Sequence, residues 1–354
     1  MGSGQCALAR LVGGSVTGQQ TAPPARRLGR SAVGWVISIA CLAFIASKVD
    51  LGQATRALQA YSWPYLVPAL AGLAFGYCQR VIRWAVMLSS AGEAVNPSRC
   101  AAPFLGSITL NNVLPLRAGD IVRATVFPAA IGVPRTAAIG SIVLERLLDL
   151  LTLAFCLTVG ATVLGGVKLP TWLVDGTVLL VVVGGLILLA VLLFSGPIAR
   201  RLSQAAKARS ADDLVAKLLR AGASMLDGFR QMSAPRPLFA VLVLSLLAWL
   251  GEATCFYFVM LGFGLTYPPV AALLVMAFVT LSTLVPSSPG YVGPFHLAAF
   301  SIMTLLGARE DVATSFAVIS HLMLWVPTTV AGGIAMLLRP EIFRVAAAER
   351  SRGA

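Results

Sequence analysis

The chain carries one interrupted helix twice, 171 positions apart, and this repeat constrains the fold more than any other feature. The first copy reads Thr109-Leu110-Asn111-Asn112-Val113-Leu114-Pro115-Leu116-Arg117-Ala118-Gly119. The second reads Thr280-Leu281-Ser282-Thr283-Leu284-Val285-Pro286-Ser287-Ser288-Pro289-Gly290. Each is Thr-Leu, two small polar residues, two aliphatics, proline, three residues and glycine. Proline removes a backbone donor and clashes with the preceding turn, so breaks are expected at Pro115 and Pro286. In hydrocarbon, open backbone survives only where protein buries it or where it lines a wet cavity. Paired breaks in the two halves of a membrane protein point to a transport site.

Composition supplies the hydrocarbon. Hydrophobic residues make up 58% of the chain and charged residues 12%, with mean hydropathy +0.85, whereas a soluble domain carries about 25% charged residues. Six runs approach or exceed the length needed to span a bilayer: Ser31–Ser47, Pro64–Ser90, Thr136–Gly165, Trp172–Ser195, Pro237–Gly262 and Val312–Leu338. Two further apolar stretches, Cys100–Pro128 and Pro268–Gly307, contain the breaks. Each must return to its own side, as a re-entrant or a two-span hairpin. Shifting Pro64–Ser90 by 171 gives 235–261, and shifting Thr136–Gly165 gives 307–336, both of which meet later spans. The expected fold class is therefore an all-α polytopic membrane protein with six full spans and two broken helical hairpins. Its transmembrane domain, 31–338, divides into halves at 31–165 and 172–338. Three spans per half make the repeat an inverted one.

The net charge of +13 is unevenly spread. Residues 1–30 hold four arginines and no acid; 198–236 hold eight bases against Asp212, Asp213 and Asp227; the tail from Arg339 holds four bases against Glu341 and Glu349. Together these segments carry +11, the positive-inside pattern, which places both termini in the cytoplasm. Residues 1–30 read as a disordered basic N-terminus and 339–354 as a basic tail. The segment 196–236 reads as an amphipathic connector suited to lie on headgroups, with Ser210 and Asp213 as its capping box. This distribution argues against a nucleic-acid partner. The six cysteines form no Cys-x-x-Cys pair, so neither a disulfide framework nor a zinc site is indicated. No metal, cofactor or catalytic residue is assigned. The phosphate-binding loop pattern of ATPases is missing.

Nine ionisable residues fall within the apolar stretches: Arg80, Arg83, Arg117, Asp120, Arg123, Glu145, Arg146, Asp149 and Glu252. Each costs roughly 2.5–3.5 kcal/mol at the centre of a lone helix, so they must pair, face water or lie near the interface. Arg80 and Arg83 share one helical face, as do Glu145, Arg146 and Asp149, and Arg117, Asp120 and Arg123 step out of the first break. Five bases against four acids leave one positive charge seeking an anion, and an arginine fork suits phosphate or carboxylate. Such pairs also lock helices together, so Glu145, Arg146 and Asp149 read equally as structure or function. Glu252 stands alone in the sequence, as a protonated core acid or a titrating group. Beyond the second break, Ser287, Ser288, Pro289, Gly290 and Gly293 offer hydroxyls and close backbone. His296 is a titrating group or a structural one.

Asn111 through Arg123 (Asn-x-x-x-Pro-x-Arg-x-Gly-Asp-x-x-Arg), Glu145-Arg146-x-x-Asp149, Pro286 through Gly293 and Arg83-Trp84 resemble a known family. It is the membrane region of lysylphosphatidylglycerol synthases and its stand-alone, flippase-like relatives, and the likeness covers roughly residues 30–340. Asp120 and His296 depart from it, since the family often has Glu at both places. The resemblance implies handling of membrane lipids, anionic phospholipids or lipid-linked sugars, in a bacterial cytoplasmic membrane. The chain reads as a stand-alone member without the soluble aminoacyl-transferring domain. The expected function is headgroup translocation, with Arg117, Arg80, Arg83 and Arg123 holding the headgroup. Asp120, Glu145 and Asp149 hold the arginines, and Asn111, Asn112, Pro115, Gly119, Pro286 and Gly290 shape the cavity. The alternatives are a membrane-embedded transferase and a non-transporting partner of a lipid-modifying enzyme.

Overall fold

The computed structural model describes residues 36–45, 47, 51–92, 94–114, 117–165, 170–210, 213–285 and 287–342. Pro115 and Pro286, the N-terminal extension and most of the tail lie outside the described residues. All regular structure among the described residues is helical. A short apolar helix α1, Val36–Ile45, precedes α2, Leu51–Gln59, and α3, Leu66–Ser90. Then come α4, Pro97–Val113; α5, Ala118–Thr125; α6, Phe127–Ile131; and α7, Arg135–Leu164. The second part comprises α8, Thr171–Lys207; α9, Leu214–Met232; α10, Pro235–Gly262; α11, Val270–Ser282; α12, Pro294–Leu305; and α13, Glu310–Leu338. Proline opens many of these helices (Pro97, Pro128, Pro235, Pro294), where its missing N–H costs nothing.

Among the described residues, five helices are long and apolar enough to cross a membrane: Trp63–Ser90, Arg135–Leu164, Val174–Lys207, Pro235–Gly262 and Glu310–Leu338. The expected first span is described only as α1, whose ten residues reach about 15 Å, half the hydrocarbon thickness. The arms at the breaks are also short. At 1.5 Å per residue α4, α11 and α12 reach about 25, 20 and 18 Å, below the ~30 Å of a bilayer core.

The two helices related by the 171-residue offset, α3 and α10, pack against each other along their length. They run antiparallel. Tyr61 meets Phe263, Tyr65 meets Phe258, Gly76 meets Ala248, and Arg83 meets Ser245. Gly76 and Gly251 let the backbones touch here: a Cβ on Gly76 would lie 2.7 Å from Ala248 O. The remaining contacts follow the same exchange. α4 packs on α13 as α11 packs on α7, and α4 packs on α5 as α11 packs on α12. Close crossings recur in both pairs, at Gly332 against Leu105 and Gly160 against Leu274.

α8 stands outside this arrangement. None of its apolar window is buried within the protein, and it continues past Ser195 to Lys207 as one helix of 37 residues. At about 55 Å it is longer than the bilayer core requires. The connector helix α9 does not lie free on the surface: it packs along α8 and α7, burying Ala216, Ala223, Phe229 and Met232. Its N-cap is Asp213 rather than Ser210, with the carboxylate accepting the Val215 N–H at 3.1 Å.

Candidate functional site

At the first break α4 stops at Val113 and the chain re-enters helix at Arg117, the N-cap of α5. Asn111 stitches the two helices together. Its Nδ2 donates to Asp120 Oδ1 and its Oδ1 accepts the Asp120 N–H, both at 3.1 Å. Asn112 faces the other way, with Nδ2 donating to Thr328 and Thr329 of α13 at 3.1 and 2.9 Å. Gly119 rests directly on α4, where any Cβ would run into Ser107 O. The Asn-Asn and Gly-Asp pairs thus have mechanical reasons to be where they are.

At the second break α11 stops at Ser282, a short 3-10 turn covers Pro289–Tyr291, and α12 starts at Pro294. Gly290 has φ of 75°, its carbonyl accepts from His321 Nε2 at 2.8 Å, and a Cβ there would lie 2.9 Å from Trp325 Nε1. The Ser288 N–H donates to Ser38 Oγ of α1 at 3.0 Å, and Gly293 lies against the Ser38 backbone. Ser287, Ser288, Pro289 and Gly293 shape this turn but do not line the cavities described below. His296 also lies apart from them. Its ring centroid is 4.6 Å from that of His321, and its Nδ1 is buried without a partner.

Among the described residues, one at each break is left-handed without being glycine: Arg117 with φ of 53° and Tyr291 with φ of 61°. Such a conformation costs roughly 1–2 kcal/mol. These two strained residues meet, with the Arg117 guanidinium 5.8 Å from the Tyr291 ring centroid, a cation–π separation.

Between them lies a cavity of about 140 Å³, lined by Arg80, Arg83, Arg117, Glu145, Arg146, Asp149 and Glu252 together with Tyr77, Trp249 and Tyr291. Arg80 and Glu252 each sit ten positions before the end of their helix, and Glu145 sits ten positions into α7. All three are therefore about 15 Å from a helix end. Glu252 is not alone: Arg80 Nη2 donates to it at 2.7 Å while stacking on Tyr77 and Trp249. Arg83 Nη1 donates to Asp149 at 2.6 Å and to Ser245 at 2.9 Å, with its side chain 1% exposed. Glu145 accepts from Arg123 at 2.8 Å and from Arg146 at 2.9 Å, with Arg83 at 3.7 Å. Asp120 lies 3.7 Å from Arg146 and 4.0 Å from Arg123.

Every one of the four carboxylates is thus engaged, and four of the five arginines engage them. Arg117 has no carboxylate among the described residues, and its Nε is buried without a hydrogen-bond partner. Arg123 does not line the cavity. It is fully buried beneath it, between the Trp84 and Phe104 rings. Asp120 also lies outside the lining. Tyr77, Trp249, Tyr291 and Thr280 line the cavity without having been singled out from the sequence. Tyr77 precedes Arg80, and Trp249 precedes Glu252, by three positions on the same face, which is the signal that could have found them.

Long apolar helices, two breaks with strained residues and a polar cavity between them define a polytopic membrane protein, the cavity lining carrying one net positive charge. The chain belongs to the family described as the lysylphosphatidylglycerol synthase TM region, whose profile matches residues 31–332. It is also similar to a protein named glycosyltransferase AglD from Haloferax volcanii, at 26% identity over 350 residues covering 90% of this chain. The match spans 55% of that relative's own length.

Proposed function

We propose that the chain translocates the headgroup of an anionic phospholipid or a lipid-linked sugar across the cytoplasmic membrane, with the headgroup held at Arg117. The observation that carries this reading is the spare arginine. Arg117 faces a polar cavity, lacks a carboxylate among the described residues, and stands at the joint between the two breaks. A guanidinium in such a place favours a phosphate, which it can grip with paired hydrogen bonds. The paired Arg80, Arg83 and Arg146 supply field without full charge, because their carboxylates compete with the ligand and keep it from binding too tightly to leave.

The short arms at each break support re-entrant hairpins, since neither arm reaches across a bilayer core. The antiparallel α3 and α10 support an inverted repeat with both termini on one side. Translocation then requires the strained joint at Arg117 and Tyr291 to exchange which side it opens to. In proteoliposomes carrying a headgroup-labelled anionic lipid, the wild type should speed leaflet exchange. Arg117→Gln should abolish that gain while inserting normally. Unchanged exchange with this variant would overturn the assignment.

A transferase acting on a lipid-linked substrate is the second reading, favoured by the name of the Haloferax volcanii relative. It predicts a change in lipid mass on incubation with purified protein, where translocation predicts only a change of leaflet. A non-transporting partner of a lipid-modifying enzyme predicts neither.

A further inference from the structure

Beside the charged cavity is a second lobe that the charge network reaches only at Glu252. It encloses about 110 Å³ on the far side of Tyr77 and Tyr291, against roughly 10–15 Å³ for one water. The two lobes share Asn112, Glu252, Thr280 and both tyrosines among their lining residues, so they adjoin across them. The character changes from one to the other. The first lobe holds four arginines; the second is lined by Asn112, Thr283, His321, Trp325 and Thr328, with no arginine or lysine. Asn112 Nδ2 is spent on Thr328 and Thr329, which fixes the amide and leaves its Oδ1 without a donor among the described residues. Trp325 supplies an aromatic wall whose Nε1 reaches Asn112 O only at 3.4 Å. Fixed amide and hydroxyl groups beside aromatic faces suit a ring of hydroxyls, which needs many directional hydrogen bonds and presents C–H faces for stacking.

We propose that the two lobes together take a lipid phosphodiester with a neutral polyhydroxyl headgroup, its phosphate against Arg117 and its hydroxyls against Asn112, Trp325 and Thr328. This rests on the headgroup reading above and narrows its substrate class. A cationic headgroup is disfavoured on the same geometry. Among the described residues the only carboxylate lining the second lobe is Glu252, already held by Arg80 at 2.7 Å, and the combined lining has one positive charge in excess. A sugar on a polyisoprenyl phosphate and the inositol of a phospholipid share the chemistry that the site recognises.

The test is retention of defined lipids by the purified full chain in nanodiscs, read by native mass spectrometry. One pair compares a polyisoprenyl phosphate with its hexose ester; the other compares phosphatidic acid with phosphatidylinositol; lysylphosphatidylglycerol and phosphatidylcholine complete the set. A hydroxyl-bearing member should exceed its bare partner by at least about tenfold, as expected where a site built for hydrogen bonds is left unpaired. Which pair shows the effect names the source. In Trp325→Phe the preference within that pair should fall below about threefold, a ratio that does not depend on how much protein folds. Equal retention of bare and hydroxyl-bearing lipids overturns the proposal but leaves anionic headgroup binding standing, whereas preference for lysylphosphatidylglycerol, whose two ammonium groups outweigh its phosphate, overturns both. Retention of no anionic lipid above phosphatidylcholine, unaltered by Arg117→Gln, overturns both.

Discussion

The two halves share a skeleton but not its occupants. On α7 the cavity face carries Glu145, Arg146 and Asp149; at the offset positions α13 carries Phe316, Ala317 and Ser320. Arg117 is matched by Ser288, and Asp120 by Tyr291. The second set packs without charge, with Phe316 fully buried against Phe256 and Phe263. The difference shows that this arrangement of helices does not require ions to hold it. Buried ion pairs replaced by well-packed apolar groups are often neutral or stabilising, so half one retains its charges against that alternative. Under the proposed function these charges serve the headgroup rather than the fold.

The largest expected effect comes from unbalancing the charged half. Glu145 is shared by Arg123 and Arg146, with Arg83 close by. Glu145→Gln leaves these buried arginines one charge short and should cost roughly 3–5 kcal/mol. At the matching site in the apolar half, Phe316→Leu should cost about 1.5 kcal/mol or less. Equilibrium unfolding in mixed micelles measures both. The contrast sharpens if both members of a pair are removed together: Arg80→Met with Glu252→Leu should recover most of the loss seen for Glu252→Gln alone. If Glu145→Gln proves no worse than Phe316→Leu, the asymmetry is cosmetic and the charged half is not a coupled unit.

A smaller effect separates the glycines of the two breaks, Gly119 and Gly290, which the offset superposes. At Gly119 an added Cβ would strike Ser107 O, a backbone atom inside α4 that cannot turn away. Gly119→Ala should cost about 2–3 kcal/mol, the upper range for overpacking, and should loosen α5. At Gly290 the nearest atom is Trp325 Nε1 at 2.9 Å, a side-chain rather than a backbone atom. There the penalty comes mainly from φ of 75°, and Gly290→Ala should cost about 1–2 kcal/mol. Thermal unfolding of the two variants side by side ranks them. A reversed order would mean that the second break, not the first, is the more tightly built.

Much of this is legible in the amino-acid sequence. Hydropathy located α3, α7, α10 and α13 because long apolar runs in a membrane have few alternatives to helix. The break motif found both joints because proline and glycine act locally. The excess of one base over the acids was a matter of counting. What escaped was everything that depends on packing between helices. Glu252 looked solitary because its partner Arg80 lies 172 positions away. Arg123 looked available because nothing in the sequence shows that Trp84 and Phe104 enclose it. The second lobe was invisible for the same reason: Asn112, Trp325 and Thr328 come from helices that only the fold brings together. The end of α8 at Lys207 was also missed, since polar residues stop a hydropathy run without stopping a helix.

The finest test compares the polar pairs that precede the breaks. Asn111 of α4 and Ser282 of α11 occupy the same place in the repeat, yet only Asn111 reaches across its break. It exchanges two hydrogen bonds with Asp120, one of them to a carboxylate, and so fixes the first turn of α5 beneath Arg117. Among the described residues the Ser282 hydroxyl bonds only to Val279 O of its own helix, at 2.7 Å. Asn111→Ala should therefore cost about 1.5 kcal/mol, near the lower value for a hydrogen bond to a charged group. Ser282→Ala should stay within about 0.5 kcal/mol. Hydrogen exchange adds a local reading. Amides of Ala118–Thr125 should exchange faster in Asn111→Ala, while those of residues 295–305 should not change in Ser282→Ala. Equal costs for the two substitutions would mean that the first break is no more braced than the second. Arg117 would then owe its strained conformation to Tyr291 alone.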